Sequence, residues 1–122
     1  MSDEVFHPAI EDLPLSKVLA ALADPARLAI VRAVAVADPD DGLACTLLPE
    51  QAGLRLSKST MSHHQRILRE CGITRTRIVG SRRTLRLRRE ELDRRFPGLI
   101  AATLAAPAEP VGTSARRPAA SA

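Results

Sequence analysis

The segment 57–72 constrains the fold most, because it carries signals for the start, the end and the two faces of a single helix. Ser57 can offer its hydroxyl to an unpaired amide of a first turn, and Gly72 suits the left-handed residue that follows many helices. At 100° per residue, apolar and small side chains collect on one face and polar side chains on the other. The first face holds Thr60, Met61, His64, Ile67, Leu68 and Cys71, and the second holds Lys58, Ser59, Ser62, His63, Arg66, Arg69 and Glu70. One side of this helix is predicted to pack, and the other to face outward.

Beyond Gly72 the periodicity of the sequence changes from that of a helix to that of a strand. Residues 74–79 and 84–88 alternate apolar or Thr side chains with Arg, and they flank Gly80-Ser81-Arg82-Arg83. This alternation predicts a β-hairpin with a basic tip. The expected inward set is Thr76, Ile78, Leu85 and Leu87, and the expected outward set is Arg75, Arg77, Arg86 and Arg88.

Upstream of the amphipathic helix, three shorter helices are predicted at about 16–23, 25–37 and 45–52. Asp24 and Pro25 mark the start of the second of these helices, since Asp is a good N-cap and Pro is favoured at the first helical position. The acidic turn 38–42 ends that helix. The third helix leads through Gly53 into the segment 57–72, which is a helix-turn-helix arrangement. Two further helices are predicted at about 90–96 and 99–105.

The chain is long enough for one domain, and composition limits what its core can be. Of 122 residues 45% are hydrophobic, but only two are aromatic, so the core must be aliphatic, which suits interlocking helices. The fold class predicted is mainly α with a small β-hairpin. We expect an irregular lead-in at 1–12, one domain at 13–105 and a disordered tail rich in Pro and Ala at 106–122.

Charge is distributed unevenly along the chain. Residues 1–54 carry a net charge of −6, residues 55–95 carry +9 and residues 96–122 carry +1. Twelve of the thirteen basic residues in the middle segment are Arg, which binds phosphate and guanine in a bidentate manner better than Lys. The middle third therefore has the charge expected of a surface that binds a polyanion.

Taken together, these patterns resemble the ArsR/SmtB family of winged helix-turn-helix transcriptional repressors. The matching segments are residues 21–31, Ser57 to His64, residues 68–73 and the hairpin, which stands where that family has its wing. The resemblance covers about residues 13–105 in consistent order. It implies a dimeric winged helix-turn-helix repressor that binds a palindromic operator in double-stranded DNA.

DNA-binding roles are predicted for ten residues. The N-terminal turns of a recognition helix approach base edges, and Arg at a wing tip reaches phosphate or a minor groove. The predicted base-facing set is Lys58, Ser59, Ser62, His63 and Arg66. Backbone contacts are predicted for Arg69, Arg75 and Arg77, and contacts to phosphate or a minor groove for Arg82 and Arg83 at the wing tip. His64 projects toward the apolar side, so a packed, hydrogen-bonded imidazole is expected there.

The resemblance further implies a homodimer that pairs through its N-terminal and C-terminal helices. The residues assigned to that interface are Val18, Leu19, Leu22, Leu99, Ile100 and Leu104. Metal sensors of the family often carry a Cys-Val-Cys type motif at the third helix, where this chain has Cys45 alone. Others place Asp and His ligands on the C-terminal helix, but residues 90–105 contain no His. No metal and no cofactor are predicted, and the inducing signal stays open.

The same residues give little support to a metal site or an enzyme. Cys45, His63, His64 and Cys71, with His7 further away, lack the i, i+4 spacing that brings two imidazoles onto one zinc ion. Cys71 is expected to be a small buried hydrophobe, although a sensing role for either cysteine stays open. No catalytic motif is present, so no enzyme is predicted. Lacking a signal peptide or membrane span, the chain is expected to be cytoplasmic. The alternative is a winged-helix module that binds protein or RNA.

Overall fold

Six α-helices and three short β-strands account for most of the described chain. The computed structural model describes residues 5–37 and 39–111. The elements in order are α1 Leu15–Leu22, α2 Pro25–Ala35, β1 Leu43–Ala44, α3 Leu48–Ala52, α4 Lys58–Glu70, β2 Thr74–Val79, β3 Arg82–Leu87, α5 Arg89–Arg95 and α6 Leu99–Ala105. Two 3-10 turns, Ile10–Asp12 and Cys45–Leu47, precede α1 and α3. The architecture is mainly helical with a small sheet, which is compatible with a winged helix-turn-helix.

The helix boundaries follow the capping residues in the sequence. The Asp24 carboxylate accepts a hydrogen bond from the Arg27 amide at 3.0 Å, and α2 begins at Pro25, as predicted. The third helix, predicted at about 45–52, lies within that range, but only its second part is α-helical. Residues 45–47 form a 3-10 turn. Pro49 has no N–H to donate, which it tolerates only in a first turn, so the α-helix begins at Leu48.

Helix α4 ends in a Schellman motif, the double hydrogen bond that closes many helices. The Ile73 amide donates to the Leu68 carbonyl at 2.9 Å, and the Gly72 amide donates to the Arg69 carbonyl at 3.0 Å. Gly72 has a φ of 77°, a left-handed value that glycine adopts without a Cβ penalty. Leu68 and Ile73 are both fully buried, which supplies the apolar contact of this motif. The chain is thereby turned directly from α4 into β2.

The sheet has three antiparallel strands in the order β1-β3-β2. The predicted hairpin is confirmed: β2 and β3 pair from Thr74 opposite Leu87 to Val79 opposite Arg82, joined by Gly80 and Ser81. The sequence did not predict β1, which pairs Leu43 with Leu85, because two residues are too few to show an alternating pattern. The outer strand β2 is covered in part by the N-terminal segment, since the Thr76 amide donates to Nε2 of His7 at 3.0 Å.

A single aliphatic core joins the helices to the sheet. It contains Ile30 and Val31 of α2, Leu68 of α4, Leu85 of β3 and Leu92 of α5, each at most 1% exposed. The predicted lead-in contributes as well, because Ile10 is buried in the same cluster, as is Leu13 at the start of the predicted domain. Of the predicted tail, residues 106–111 form no helix or strand, and residues 112–122 lie outside the described part of the chain, as do residues 1–4 and Asp38.

Three of the six residues assigned to a dimer interface lie inside the chain's own core. Val18 and Ile100 are fully buried and Leu22 is 6% exposed, so their side chains have no surface to offer a second copy. Leu19 is exposed, and Leu99 and Leu104 are half-buried. The sequence could not separate these sets, because a short apolar helix shows the same pattern whether its face packs within the chain or against a partner.

Helix α6 is fixed to α2 by Arg32. This guanidinium donates to the carbonyl of Leu104 at 3.0 Å and to that of Ala106 at 2.6 Å. A cationic donor at a helix C-terminus satisfies carbonyls that have no partner within the helix and interacts favourably with the helix dipole. The C-terminal end of α6 is therefore held against α2 by the side chain of Arg32.

Arg88, predicted to point outward from the hairpin, is buried at 5% exposure. Its guanidinium donates to the Pro8 carbonyl at 2.9 Å and pairs with the carboxylate of Glu91. The alternating pattern fails here because β3 ends at Leu87, so Arg88 belongs to the turn into α5. Arg88 thus joins the lead-in to the C-terminal helices.

Candidate nucleic-acid interface

The exposed face of α4 contains all five of the predicted base-facing residues. Ser57 caps the helix, with its Oγ accepting from the Thr60 amide at 3.2 Å. Inward, Met61 and Leu68 are buried, which fixes the rotation of the helix against the core. The residues left exposed on the opposite side include Lys58, Ser59, Ser62, His63 and Arg66. They present hydroxyl, imidazole, ammonium and guanidinium groups, which can donate to acceptor atoms at base edges or to phosphate.

Arg69 does not join that face. Its side chain is only 16% exposed, and its closest carboxylate oxygen, on Glu70, lies 3.9 Å away. Its Nε is buried and has no hydrogen-bond partner among the described residues. The predicted role of Arg69 as a contact to a nucleic-acid backbone therefore has little accessible surface to support it.

His64 lies on the packed side of α4, as the helical projection predicts. Its Nδ1 is 3.1 Å from NH1 of Arg27, a residue of α2. Because arginine can only donate hydrogen bonds, a hydrogen bond between these atoms requires Nδ1 to accept and the imidazole to be neutral. Burial lowers the pKa of His64 from its ordinary value of 6.5, while nearby Asp24 acts to raise it and Arg27 and His63 act to lower it.

Arg27 is a residue whose importance the sequence analysis missed. Besides contacting His64, its Nε donates to the Ala21 carbonyl at 2.6 Å, and its NH2 lies 3.5 Å from the Ala20 carbonyl. These two carbonyls belong to the last turn of α1, where helices leave carbonyls without internal partners. In the sequence, its position three residues after the Asp24 cap was the one sign that Arg27 lies near the end of α1.

The hairpin has two faces with different arginines. Residues paired across two antiparallel strands share a face, and successive residues alternate between faces. Arg75 pairs with Arg86, and Arg77 and Arg82 have the same parity, so these four arginines lie on the outer face and all are exposed. We call this set the outer arginine face. Arg75 and Arg86 stand directly opposite each other, and Glu91 offsets their repulsion by an ion pair with Arg75 at 3.4 Å.

Arg83 is exposed but belongs to the opposite face, and the structure thereby separates two residues predicted to act together at the tip. Arg83 pairs with Ile78 and shares the face of Leu85, which is buried. Strand β1 pairs with the other edge of β3, and the residue that follows β1 is Cys45, where the charge and hydrogen bond of Arg83 act to lower the thiol pKa. Arg82 and Arg83 therefore point in different directions although both lie next to the turn.

Both cysteines are free thiols in settings that disfavour the reactive thiolate. Cys71 is buried and Cys45 half-buried, and burial raises the pKa of each thiol. For Cys45 the charge and hydrogen bond of Arg83 act in the opposite direction but more weakly. Across residues 5–37 and 39–111, no three His, Cys, Asp or Glu side chains converge in a way that could hold a metal ion.

Comparison with known proteins identifies a distant relative. No family model matches the chain. The chain is 31% identical over 90 residues to a Bacillus subtilis (strain 168) protein described as the uncharacterized HTH-type transcriptional regulator YceK. The matched region spans 74% of this chain and 86% of the relative. In the described part of the chain, no helix combines the length and apolar character needed to cross a membrane. By this similarity and its helix-turn-helix architecture, the chain belongs to the HTH-type transcriptional regulators.

Proposed function

We propose that the protein is a repressor of the ArsR type that binds a palindromic operator as a homodimer. The single observation that carries this proposal is the capped helix α4, which is packed on one side and presents Lys58, Ser59, Ser62, His63 and Arg66 on the other. A helix of this form fits the major groove, where its N-terminal residues reach base edges. Repression then results from occupying the promoter.

The outer arginine face is proposed to contact the DNA backbone or the adjacent minor groove. Its four arginines extend from the base of the hairpin to its turn and are exposed. Guanidinium groups bind phosphate and are attracted to the negative potential of a narrow minor groove. Such contacts hold the protein in register on the duplex without reading sequence, so affinity and discrimination should depend on different residues.

The proposed dimer interface is limited to side chains that have surface to bury. Leu15 and Leu19, one turn apart on α1, are 46% and 45% exposed, and Leu99 and Leu104 of α6 are half-buried. A dimer that reads a palindrome in successive major grooves must hold its two copies of α4 about one helical turn of DNA apart, roughly 34 Å. Leu19→Asp should turn the dimer into a monomer in sedimentation, whereas the exposed Val36→Asp, at the end of α2, should leave it dimeric.

The test of DNA binding begins with selection, because the operator is unknown. Genomic fragments retained by the purified protein are sequenced, and the enriched site is measured by fluorescence anisotropy at several salt concentrations. If a dimer neutralises about eight phosphates, the slope of log affinity against log salt should be about −7. No enriched duplex, or an affinity that does not change with salt, would contradict the proposal.

The second candidate is a winged-helix module for RNA or protein. The observation that would favour it is the hairpin, whose basic surface could bind any polyanion. Recognition of single-stranded RNA usually stacks bases on aromatic side chains, and this chain has two Phe and no Tyr or Trp. Anisotropy with duplex DNA and with RNA of the same sequence separates the two functions in one experiment.

A further inference from the structure

The junction of α1, α2 and α4 contains a polar connection between helices that are otherwise packed by aliphatic side chains. Arg27 is its centre. It donates to the Ala21 carbonyl at the end of α1 and contacts Nδ1 of His64 on α4, while its own amide is bound by the Asp24 cap of α2. One guanidinium therefore connects the ends of two supporting helices to the middle of the proposed recognition helix.

The chemistry of this contact depends on one proton. Neutral His64 can accept from Arg27 through Nδ1 while its Nε2 carries the hydrogen. In the imidazolium both ring nitrogens are donors, so the hydrogen bond is lost and two cations face each other at the same distance. Protonation of His64 thus converts an attractive contact between α2 and α4 into a repulsive one.

The other charged groups in the junction do not remove this dependence. Asp24 favours the imidazolium, but its effect on the His64 pKa is smaller than that of burial, and Arg27 and the neighbouring His63 oppose it. From α1, Lys17 adds positive charge near Cys71, where Arg27 and Glu70 also act. The lowered pKa of His64 agrees with an environment that favours the neutral imidazole.

We propose that the contact between Arg27 and His64 is a proton-sensitive link that positions α4 for DNA, so that acidification weakens operator binding. Arg27 and His64 are positioning residues in this proposal and need not touch DNA. The proposal rests on the proposed function, because it assigns regulation to the same helix. Beyond the proposed function, it states that operator binding is regulated by pH. The proton acts on His64, which lies on the packed side of α4 and not on the side proposed to contact DNA.

The decisive variant is His64→Asn. The Oδ1 atom of Asn can occupy the position of Nδ1 as an acceptor, but the side chain does not titrate, so the link persists at all pH values. His63→Asn is a comparison for the pH profile alone, since it removes an adjacent imidazole from the proposed base-facing set and is itself expected to weaken operator binding at every pH. Both variants and the wild-type full chain are measured against the selected operator duplex from about pH 7.5 to about pH 4.5, because the lowered pKa of His64 requires a range that extends well below the ordinary imidazole pKa.

The expected result is a loss of affinity on acidification that is about tenfold greater for the wild type than for His64→Asn, the size expected for a hydrogen bond to a charged group. His63→Asn should bind the operator more weakly than the wild type throughout but should keep at least the wild-type loss on acidification, because it retains the contact between Arg27 and His64. Equal pH profiles for wild type and His64→Asn would overturn the proposal. So would stronger binding of the wild type, relative to His64→Asn, at acid pH.

A measurement without DNA separates failure of this link from failure of the proposed function. In the ¹⁵N-labelled full chain at about pH 7.5, long-range ¹H–¹⁵N correlation should show His64 as the Nε2–H tautomer, and Arg27→Met should change its Nδ1 resonance. An Nδ1–H tautomer or an imidazolium at that pH would overturn the link even if operator binding is established. If no duplex binds but this tautomer is found, the proposed function fails and the contact stands.

Discussion

Arg88 and Glu91 form an ion pair in which Nε of Arg88 lies 2.7 Å from Oε1 of Glu91 and NH2 lies 3.2 Å from Oε2. The Arg88 side chain is 2% exposed and that of Glu91 is 31% exposed. A bidentate pair of this kind satisfies a cation that would otherwise be buried without a partner. It joins the end of the hairpin to α5, and through Pro8 it also fixes the lead-in.

Glu91→Gln should lower the free energy of unfolding by about 2 kcal/mol at neutral pH, because Arg88 is left buried without its counter-ion. The hydrogen bond from Arg88 holds the pKa of Glu91 below its ordinary value of 4.5. The stabilisation that ionised Glu91 contributes to the folded protein is therefore complete above about pH 4.5 and is lost as the pH falls through the lower pKa of the folded state. Urea denaturation at neutral and acid pH measures both effects.

The control for this prediction is Glu90→Gln, one residue earlier on the same exposed helix turn. It removes the same charge from α5 but not from the Arg88 pair, so its cost should stay within about 0.5 kcal/mol. If both variants lose equal stability, the loss comes from removing a negative charge in the first turn of α5 and not from breaking the ion pair with Arg88.

Gly72→Ala should destabilise the protein by about 3 kcal/mol. Alanine at position 72 would have to keep the left-handed φ of 77°, which strains a residue with a Cβ. Its Cβ would also lie 3.2 Å from Cγ of Leu13 and closer still to Cδ1 of the same side chain. The backbone strain costs about 1 kcal/mol and the crowding against a buried leucine adds about 2 kcal/mol. Thermal or urea denaturation measures the loss.

Gly53 provides a matched comparison for Gly72. It ends α3 with the same pair of hydrogen bonds, from Leu54 to Pro49 and from Gly53 to Glu50, and its φ is 68°. A Cβ there meets nothing within 4 Å. Gly53→Ala should therefore cost only the backbone strain, about 1 kcal/mol, and equal losses at the two glycines would show that contact with Leu13 adds nothing.

Local signals were sufficient to predict the helices and the hairpin. Ser57, Gly72 and the Asp24-Pro25 pair act within one turn of their own position, and the alternation in residues 74–79 has the period of a strand. These features depend on hydrogen bonds and sterics between near neighbours. The structure therefore reproduces the predicted boundaries to within two residues for α1, α2 and α4.

Contacts between distant residues were not predictable in the same way. Arg27 meets His64 across 37 positions, and Arg88 meets Pro8 across 80. Nothing in the local pattern distinguishes these arginines from exposed ones. For the same reason the sequence placed Val18 and Ile100 at a dimer interface, although the chain buries them itself. Composition and periodicity indicate that an apolar face is covered, but not by what.

Base reading is predicted to depend on Ser62 and His63. Both are exposed on α4, and substitution by Ala removes their side-chain donors and acceptors. Ser62→Ala plus His63→Ala should weaken operator binding about tenfold or more and random duplex binding by less than about twofold. Competition with unlabelled random DNA measures this ratio. Ser16→Ala, at an exposed position of α1, is the control, and equal losses on both DNAs would contradict a role in base reading.

The two arginines beside the hairpin turn should differ in their effect on DNA binding. Arg82 belongs to the outer arginine face, whereas Arg83 shares the face of Leu85 and lies beside Cys45. Arg82→Ala should weaken operator and random duplex equally, about threefold, and reduce the magnitude of the salt slope by about 1, as expected for a lost phosphate contact. Arg83→Ala should have less effect on both DNAs, and the double variant should weaken both.

A second readout shows whether Arg83 acts on Cys45 instead. Because the guanidinium lowers the pKa of this thiol, Arg83→Ala should raise it and slow alkylation of Cys45 at a fixed pH. Arg82→Ala and the exposed Arg94→Ala should leave the alkylation rate unchanged. A larger loss of DNA affinity for Arg83→Ala than for Arg82→Ala, with no change at Cys45, would mean that DNA meets the face of the hairpin that carries Arg83.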